Sequence, residues 1–499
     1  MQDCWRLGLL LALLCSVHGQ TATADDVDPA LALQRRVVRV TAQVEPAMVS
    51  IVRVIASAES PLPADFDPFR PLRPEESGPV ADGFGSGVIL KVEGSTRLLI
   101  LTNHHVVTSR AGRDEAQTDR LYVRTIGGHT LPATLRAFDP RSDLAVLEAE
   151  LTAVTADVLK IIPPQIGSGE DLHKGDFVLA LGNPWSLARD GSCSVAAGMV
   201  GNRARRPLEK PDQDRIDSAA TIHELGTLLQ LDMRLPLGMS GGALVNLQGE
   251  LVGLTTSLAA LQGDPTAAGF AIPMTPGIRR IVESLLKGEE VEYGFLGVDP
   301  DDGYPEDLRP ARPFITQATA ARVGRVALKS PAALAGLEEG DQVYAVGEVS
   351  IRRGSDLVRE IGLLGPGAVA VLKVFRPRNR QMLTLEVALG KWPVYDDRRL
   401  VVTHPQYPSW RGLRVDYPTG RFRYLPDSFL SVFPEGVVIT DVVADSPAAL
   451  AQLKPGMTIR QVAGEPVKSP AAFYAAVAAS KEAVSIQLAA DDLRVVPEE

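Results

Sequence analysis

Three short segments carry side chains suited to one piece of chemistry. Leu101 to Val107 reads LTNHHVV, Asp139 to Leu147 reads DPRSDLAVL, and Gly238 to Asn246 reads GMSGGALVN. A serine hydroxyl is a weak nucleophile at neutral pH and needs a positioned base. Imidazole suits that task, and a carboxylate beside it holds the tautomer and steadies the imidazolium. The glycines around Ser240 let the backbone turn tightly, so the N–H groups of Gly238 and Ser240 can converge on one oxyanion. The chemistry is nucleophilic acyl transfer. Each segment has a plainer reading alone: a Gly-rich turn, a solvated pair His104-His105, and turn residues at Asp143 and Asp139. Adjacent histidines have no useful zinc-ligand spacing and no Cys is near, so no metal and no cofactor is expected. The joint occurrence of all three segments favours catalysis.

The surrounding elements are short strands. From Gly83 to about Met274 the chain runs through GVILKV, RLLILT, LYVRTI, DLAVLEAEL, FVLALG and ELVGLTTS, with turn signals between them. Many short strands of this kind argue an all-β barrel or sandwich. A closing helix follows, with Thr275 as cap, Pro276 at its first position, an apolar face from Ile278 to Leu286, and Gly288 as stop. Beyond it the chain repeats itself. KSPAALAGLEEGDQVYAV from Lys329 aligns without gaps with DSPAALAQLKPGMTIRQV from Asp445, an offset of 116 residues that carries Ser330 onto Ser446. That period is too long for a solenoid and means two copies of one domain. Residues 60 to 82, rich in Pro and acidic groups, read as an exposed linker.

The order His, Asp, Ser is that of chymotrypsin-type double barrels rather than of subtilisins or α/β-hydrolases. The three segments resemble those of the HtrA/Deg family of envelope serine proteases, as do FGSGVI from Phe84, LGNP from Leu181 and AGFAIP from Ala268. The two repeats resemble PDZ domains. The likeness runs from about Val44 to the C-terminus. It implies His105 as base, Asp143 as its orienter and Ser240 as nucleophile, with His104 a bystander. It also implies a mainly β protein: a chymotrypsin-like double β-barrel over 30–288, then two α+β PDZ domains over 291–392 and 405–495. The substrates implied are unfolded or damaged envelope proteins, cleaved without ATP, with trimer-based homo-oligomers and C-terminal peptides as PDZ ligands. A PDZ domain takes an extended tail as an added strand and its carboxylate on backbone N–H groups. Phe295-Leu296-Gly297-Val298 looks like that loop in the first copy, and Gly412-Leu413-Arg414-Val415 like its weaker counterpart. The second copy has an alternative role in holding subunits together.

Departures from the family pattern qualify these expectations. Met239 stands where the family has Asn and where trypsin-like zymogens use an Asp to pair with a new N-terminus. A thioether cannot make that ion pair, which excludes this route of activation. Met239 and the preceding Arg234-Leu-Pro-Leu237 could loosen the loop, so the competing reading is a catalytically weak PDZ scaffold or chaperone. An esterase fits worse, because chain order and strand pattern differ from the common esterase fold.

Composition sets the remaining bounds. A chain of 499 residues has room for about three domains, and its net charge of −10 gives no general attraction to nucleic acid. Residues 1–24, with Arg6, the apolar run Leu7 to Cys15 and a small-residue flank, read as an export signal too short for a membrane span. Export places the protein in the periplasm or cell envelope. Cleavage would remove Cys4 and Cys15 and leave Cys193 alone, so no internal disulfide could form.

Overall fold

A computed structural model describes residues 28–57, 67–69, 81–94, 96–108, 117–152, 161–183, 190–206, 221–256, 269–393, 404–423, 433, 435–478, 480–489 and 492–498. The expected leader lies outside the described residues, as does most of the linker over 60–82. No helix among the described residues is long and apolar enough to cross a membrane.

Helix α1 (Pro29–Val44) starts at Asp28, whose carboxylate accepts from the Ala30 N–H at 3.0 Å. Strand β1 (Met48–Ser57) opens a closed barrel with β2 (Ala81–Glu93), β3 (Arg97–Asn103), β4 (Gln117–Thr125), β5 (Thr130–Asp139) and β6 (Leu144–Glu150) in the order β1-β2-β3-β6-β5-β4. One helical turn, α2 (His104–Val107), follows β3 directly. A second closed barrel runs β10-β11-β12-β9-β8-β7. Its strands are β7 (Phe177–Gly182), β8 (Ser194–Arg205), β9 (Leu228–Leu231), β10 (Ala243–Asn246), β11 (Leu251–Thr256) and β12 (Phe270–Pro273).

The strands are apolar on both faces because each face meets a different core. On β3, Leu98 and Ile100 point into the first barrel, whereas Leu99 and Leu101 pack in the cluster between the barrels. Strand β7 divides likewise, with Val178 and Ala180 inside the second barrel and Leu179 and Leu181 in the shared cluster. A side-chain period of two sends neighbours to opposite faces. The shared cluster also takes Val40 and Val44 of α1 and Ile278, Ile281 and Leu285 of the closing helix α3 (Pro276–Lys287). Thr275 caps α3 and Gly288, at φ 80°, ends it, as its sequence predicts.

The repeats form two separate five-strand paths. Strand β13 (Gly294–Phe295) pairs with β20 (Gly390–Lys391). Between them β14 (Val298–Asp302), β15 (Ala321–Val326), β16 (Gln342–Val346), β18 (Val369–Arg376) and β19 (Gln381–Ala388) lie in that order, with β17 (Val349–Ser350) beside β16. Helices α4 (Pro305–Leu308), α5 (Pro331–Leu334) and α6 (Gly354–Leu364) are interspersed. The second copy orders β21 (Leu413–Asp416), β22 (Val437–Val442), β23 (Thr458–Val462), β25 (Val484–Leu488) and β26 (Leu493–Val496), with β24 (Glu465–Pro466) beside β23. Its helices are α7 (Pro447–Leu450) and α8 (Pro470–Ala478). The residues matched by the repeat are core residues in both copies: Val343 and Ile459, Ile351 and Val467, Leu357 and Phe473. Ser330 and Ser446 each cap their helix, accepting from Ala333 and Ala449 at 3.2 Å.

Polar contacts fix the repeats to the barrels. Arg359 of α6 donates to the Leu225 carbonyl at 2.7 Å, and Arg280 of α3 to the Leu363 carbonyl at 3.3 Å. Lys391, its side chain only 3% exposed, sits among Glu290 at 3.0 Å, Glu292 at 3.1 Å and Asp416 at 2.9 Å. One buried ammonium thus joins the segment after α3 to both repeats. Cys193 is free; burial and the neighbouring Glu45 carboxylate push its thiol up to about 12, so it stays protonated and inert.

Candidate active site

The β3–β6 pairing puts Asn103 opposite Leu144, so the residue after β3 and the residue before β6 are neighbours. His104 N–H and the Asn103 side-chain amide both donate to the Asp143 carbonyl at 3.0 Å. His105 donates its backbone N–H to Asp143 Oδ1 at 3.0 Å, and its Nδ1 lies 2.9 Å from Oδ1 and 2.8 Å from Oδ2. A carboxylate only accepts, so Nδ1 carries the proton and Nε2 keeps its lone pair. Burial alone would raise the Asp143 pKa. The charge His105 carries when protonated, and its hydrogen bond, outweigh burial and hold the carboxyl below its ordinary value. Asp143 is therefore ionised and His105 is the imidazole it orients.

The other candidates of the same segments have structural places. His104 turns its ring onto Phe138, centroids 4.7 Å apart. Asp139 closes the turn ahead of Asp143 by accepting from the Ser142 N–H at 3.0 Å, and it accepts from the Tyr293 hydroxyl at 2.5 Å.

Ser240 sits in the loop before β10. Met239 N–H donates to the Pro236 carbonyl at 3.1 Å, and Gly238, third in that turn, has φ 94°. A positive φ there is the mark of a type II turn and suits glycine. Gly241 N–H donates to the Thr255 carbonyl, Gly242 N–H to that of Met239, and Thr255 Oγ1 also bonds the Met239 carbonyl. The first barrel holds the loop from across the interface. Ser86 of β2 donates its N–H to the Ser240 carbonyl at 2.8 Å and its Oγ to the Gly238 carbonyl at 2.7 Å. The Ser86 carbonyl in turn accepts from Thr102 Oγ1 at 2.7 Å, three residues before His105. A Cβ on Gly241 would lie 2.1 Å from the Ser86 carbonyl oxygen and 2.3 Å from Thr102 Oγ1. Only glycine permits that approach.

Met239 does not loosen this loop. Its side chain is 2% exposed and packs with Leu172, Val178, Leu244 and Val252 in the core of the second barrel. The apolar residue anchors the loop from below, where the family's Asn would need polar partners.

His223 is a site neighbour that no sequence motif marks. It is fully buried on the short 3-10 turn Ile222–Leu225, with Nδ1 2.6 Å from Thr227 Oγ1 and Nε2 2.9 Å from the Ser142 carbonyl. Burial lowers its pKa, against the pull of Asp143 and Asp139, and burial lowers that of His104 as well. A histidine kept neutral by the fold binds its proton more readily when unfolded, so the stability it allows is complete above about pH 6.5 and falls as pH drops. The slope reaches about 1.4 kcal/mol per pH unit for one such group. Glu292, raised mainly by burial, titrates with the opposite sign. His223→Gln is therefore expected to flatten the loss of unfolding free energy between roughly pH 7 and 5.5. Parallel urea titrations of both proteins check this, and identical slopes would contradict it.

The repeat loops correct one sequence alignment. Gly297, at φ 80°, would bring a Cβ within 2.4 Å of Ser330 Cβ, and its carbonyl accepts from Ala327. Gly412, at φ 81°, has the same relation to Ser446 at 2.2 Å and accepts from Val443. The counterpart of Phe295-Leu296-Gly297-Val298 is thus Trp410-Arg411-Gly412-Leu413, and not Gly412-Leu413-Arg414-Val415. The ungapped offset of 116 residues slips by one upstream of Ser446, and the glycine contact with the capping serine reveals it.

The two loops also differ in openness. In the second copy the Leu413 N–H donates to the Trp410 carbonyl at 2.8 Å, and the reverse bond is 2.9 Å. Buried Arg411 anchors it to the carbonyls of Val496, Pro497 and Ser480. In the first copy Leu296 is an apolar core residue instead. Along β14 the Asp299 carbonyl points at Gly324 of β15, and the Pro300 carbonyl at Gly354 of α6, 2.8 Å from where its Cβ would be. Val298 and Pro300 therefore face the outer edge, and Pro300 has no N–H to offer there.

Comparison with known proteins adds the following. A model of trypsin-like peptidase domains matches residues 85–254. A DegP-like periplasmic serine endoprotease of Pseudomonas fulva is 30% identical over 394 residues, covering 79% of this chain and 73% of that protein. Another from Brucella suis is 29% identical over 439 residues, covering 84% and 73%. The solved structure of the HtrA-type protease AlgW with a decapeptide aligns at TM-score 0.47 and 25% identity, over 72% of this chain and 99% of that one.

Proposed function

The chain belongs to the HtrA/Deg family of serine endoproteases, and from that premise we infer an exported enzyme that cleaves unfolded or damaged envelope proteins through Ser240, His105 and Asp143. The observation that carries the triad is the hydrogen bond of His105 Nδ1 with Asp143 at 2.8 Å, built on a strand end that abuts the Ser240 loop through Thr102 and Ser86.

Ser240 attacks the scissile carbonyl as His105 Nε2 takes its proton. The amides of Gly238 and Ser240 bind the resulting oxyanion. His105 then returns the proton to the leaving amine, and water repeats the sequence on the acyl-enzyme. Asp143 keeps the Nδ1 proton throughout. A fluorophosphonate probe tests this assignment. Covalent adduct on Ser240, mapped by peptide mass spectrometry, is expected. No label on Ser240 with unfolded substrate and a C-terminal peptide present would refute it.

The repeats act as PDZ domains in this reading, with different capacities. The first receives a tail's terminal carboxylate on the Leu296, Gly297 and Val298 amides beside Phe295. Past that point Pro300 and the close approach of Gly354 oppose an added strand, so the domain senses the end of a tail rather than its length. Amidating a peptide's C-terminus is expected to weaken binding about tenfold or more, roughly 1.4 kcal/mol. Trimming the peptide to three residues should change affinity little. Fluorescence anisotropy measures both, and a tenfold loss on trimming would count against the Pro300 argument. The second loop is closed on itself and suits an assembly role in trimer-based oligomers.

A further inference from the structure

We propose that His223 is a positioning residue for Asp143, holding the peptide plane from which the catalytic carboxylate is aimed; this rests on the triad reading above. Asp143 has φ 53°, in the left-handed region that few non-glycine residues enter and that Asp tolerates better than most. That torsion is defined against the Ser142–Asp143 peptide plane. Whatever fixes the Ser142 carbonyl therefore fixes the direction in which Asp143 leaves the chain.

Two braces hold the turn. On one side Tyr293 bonds Asp139, and Arg141 lies over the Tyr293 ring at 4.2 Å while donating to the Val291 carbonyl at 3.0 Å. On the other side the Ile222 N–H donates to the Arg141 carbonyl at 2.8 Å, and His223 Nε2–H to the Ser142 carbonyl at 2.9 Å. The carbonyl is an obligate acceptor, so Nε2 carries the proton and Nδ1 accepts from the Thr227 hydroxyl. The imidazole is neutral and locked in one tautomer at both nitrogens. The charged or titratable groups that act on it are Asp143, Asp139 and His105. His223 touches none of the reacting atoms. Its effect runs through Asp143 and then His105.

The test uses the full-length enzyme and a defined peptide substrate. His223→Leu removes the donor, whereas His223→Gln can keep an N–H toward the Ser142 carbonyl. His223→Leu is expected to lower kcat about 10²-fold, the size of a roughly 1 Å misplacement, with little change in KM. His223→Gln should recover most of that loss. The downfield proton resonance of the His105–Asp143 hydrogen bond should broaden or vanish in His223→Leu and persist in His223→Gln. If His223→Leu fails to fold, Thr227→Val, which releases Nδ1, should give the same changes in smaller measure. A folded His223→Leu with normal kcat and an unchanged resonance overturns the proposal. So do equal losses in both His223 variants with the resonance intact, since those report on packing alone. The triad reading fails separately, if Asp143→Asn retains both the resonance and full activity.

Discussion

Ser240→Ala is expected to reduce cleavage of casein by about 10⁶-fold, the scale on which a serine protease loses its nucleophile. The fold should survive. What Ser240 supplies to its loop is its backbone carbonyl, bonded to Ser86 N–H at 2.8 Å, and alanine retains that group. The flanking glycines and the buried Met239 anchor are untouched. A residual rate of about 10³–10⁴ over the uncatalysed reaction should persist, because the oxyanion amides belong to the backbone. Circular dichroism and melting temperature should match the parent protein. Casein cleavage above one hundredth of the parent rate would remove Ser240 from the mechanism.

Asp143→Asn is expected to cost about 10⁴ in kcat with the local geometry preserved. The reason lies in how the two carboxylate oxygens are used. Oδ1 accepts the His105 backbone N–H at 3.0 Å, so the oxygen of an asparagine must stay there. Its NH₂ group then takes the place of Oδ2, 2.8 Å from His105 Nδ1. Both would be donors unless the imidazole moves its proton to Nε2. With Nε2 protonated the histidine cannot take the proton of Ser240. The loss should shrink at high pH, where a deprotonated nucleophile needs less help, and KM should change little. Steady-state kinetics from neutral to alkaline pH measure this. A variant within tenfold of the parent at neutral pH would show that Asp143 does not set the tautomer.

The candidate site was legible in the sequence to an uneven degree. The serine loop was clearest, because its glycines mark a tight backbone: Gly238 takes a positive φ in the turn, Gly241 lies against Ser86 and Thr102, and Gly242 against the Leu181 carbonyl. Residue chemistry alone does not separate His104 from His105 or Asp139 from Asp143; the family motifs point to His105 and Asp143, and in the structure it is the His105 ring that meets the Asp143 carboxylate. Both members of each pair are buried or partly buried polar residues in one turn, and what separates them there is which ring faces which carboxylate. Met239 read as a defect because its polarity was judged without its surroundings. Packing in the second barrel makes it an anchor. His223 gave no signal, since it lies about 80 residues from Ser142 in the chain and meets it only through the barrel interface.

The N-terminal apolar run and the placement of the cysteines gave the expectation of an exported protein without an internal disulfide before any strand was placed. Local chemistry likewise determined the nucleophile loop, the capped helices at Ser330 and Ser446, and the repeated core, because each depends on residues close together in the chain. Tertiary structure alone decided that His223 meets the Ser142 carbonyl, that Met239 is a core residue, and that the second repeat's loop is held by Arg411. Those outcomes depend on strand pairing and on contacts between distant segments, where a shift of one residue turns a side chain to the other face.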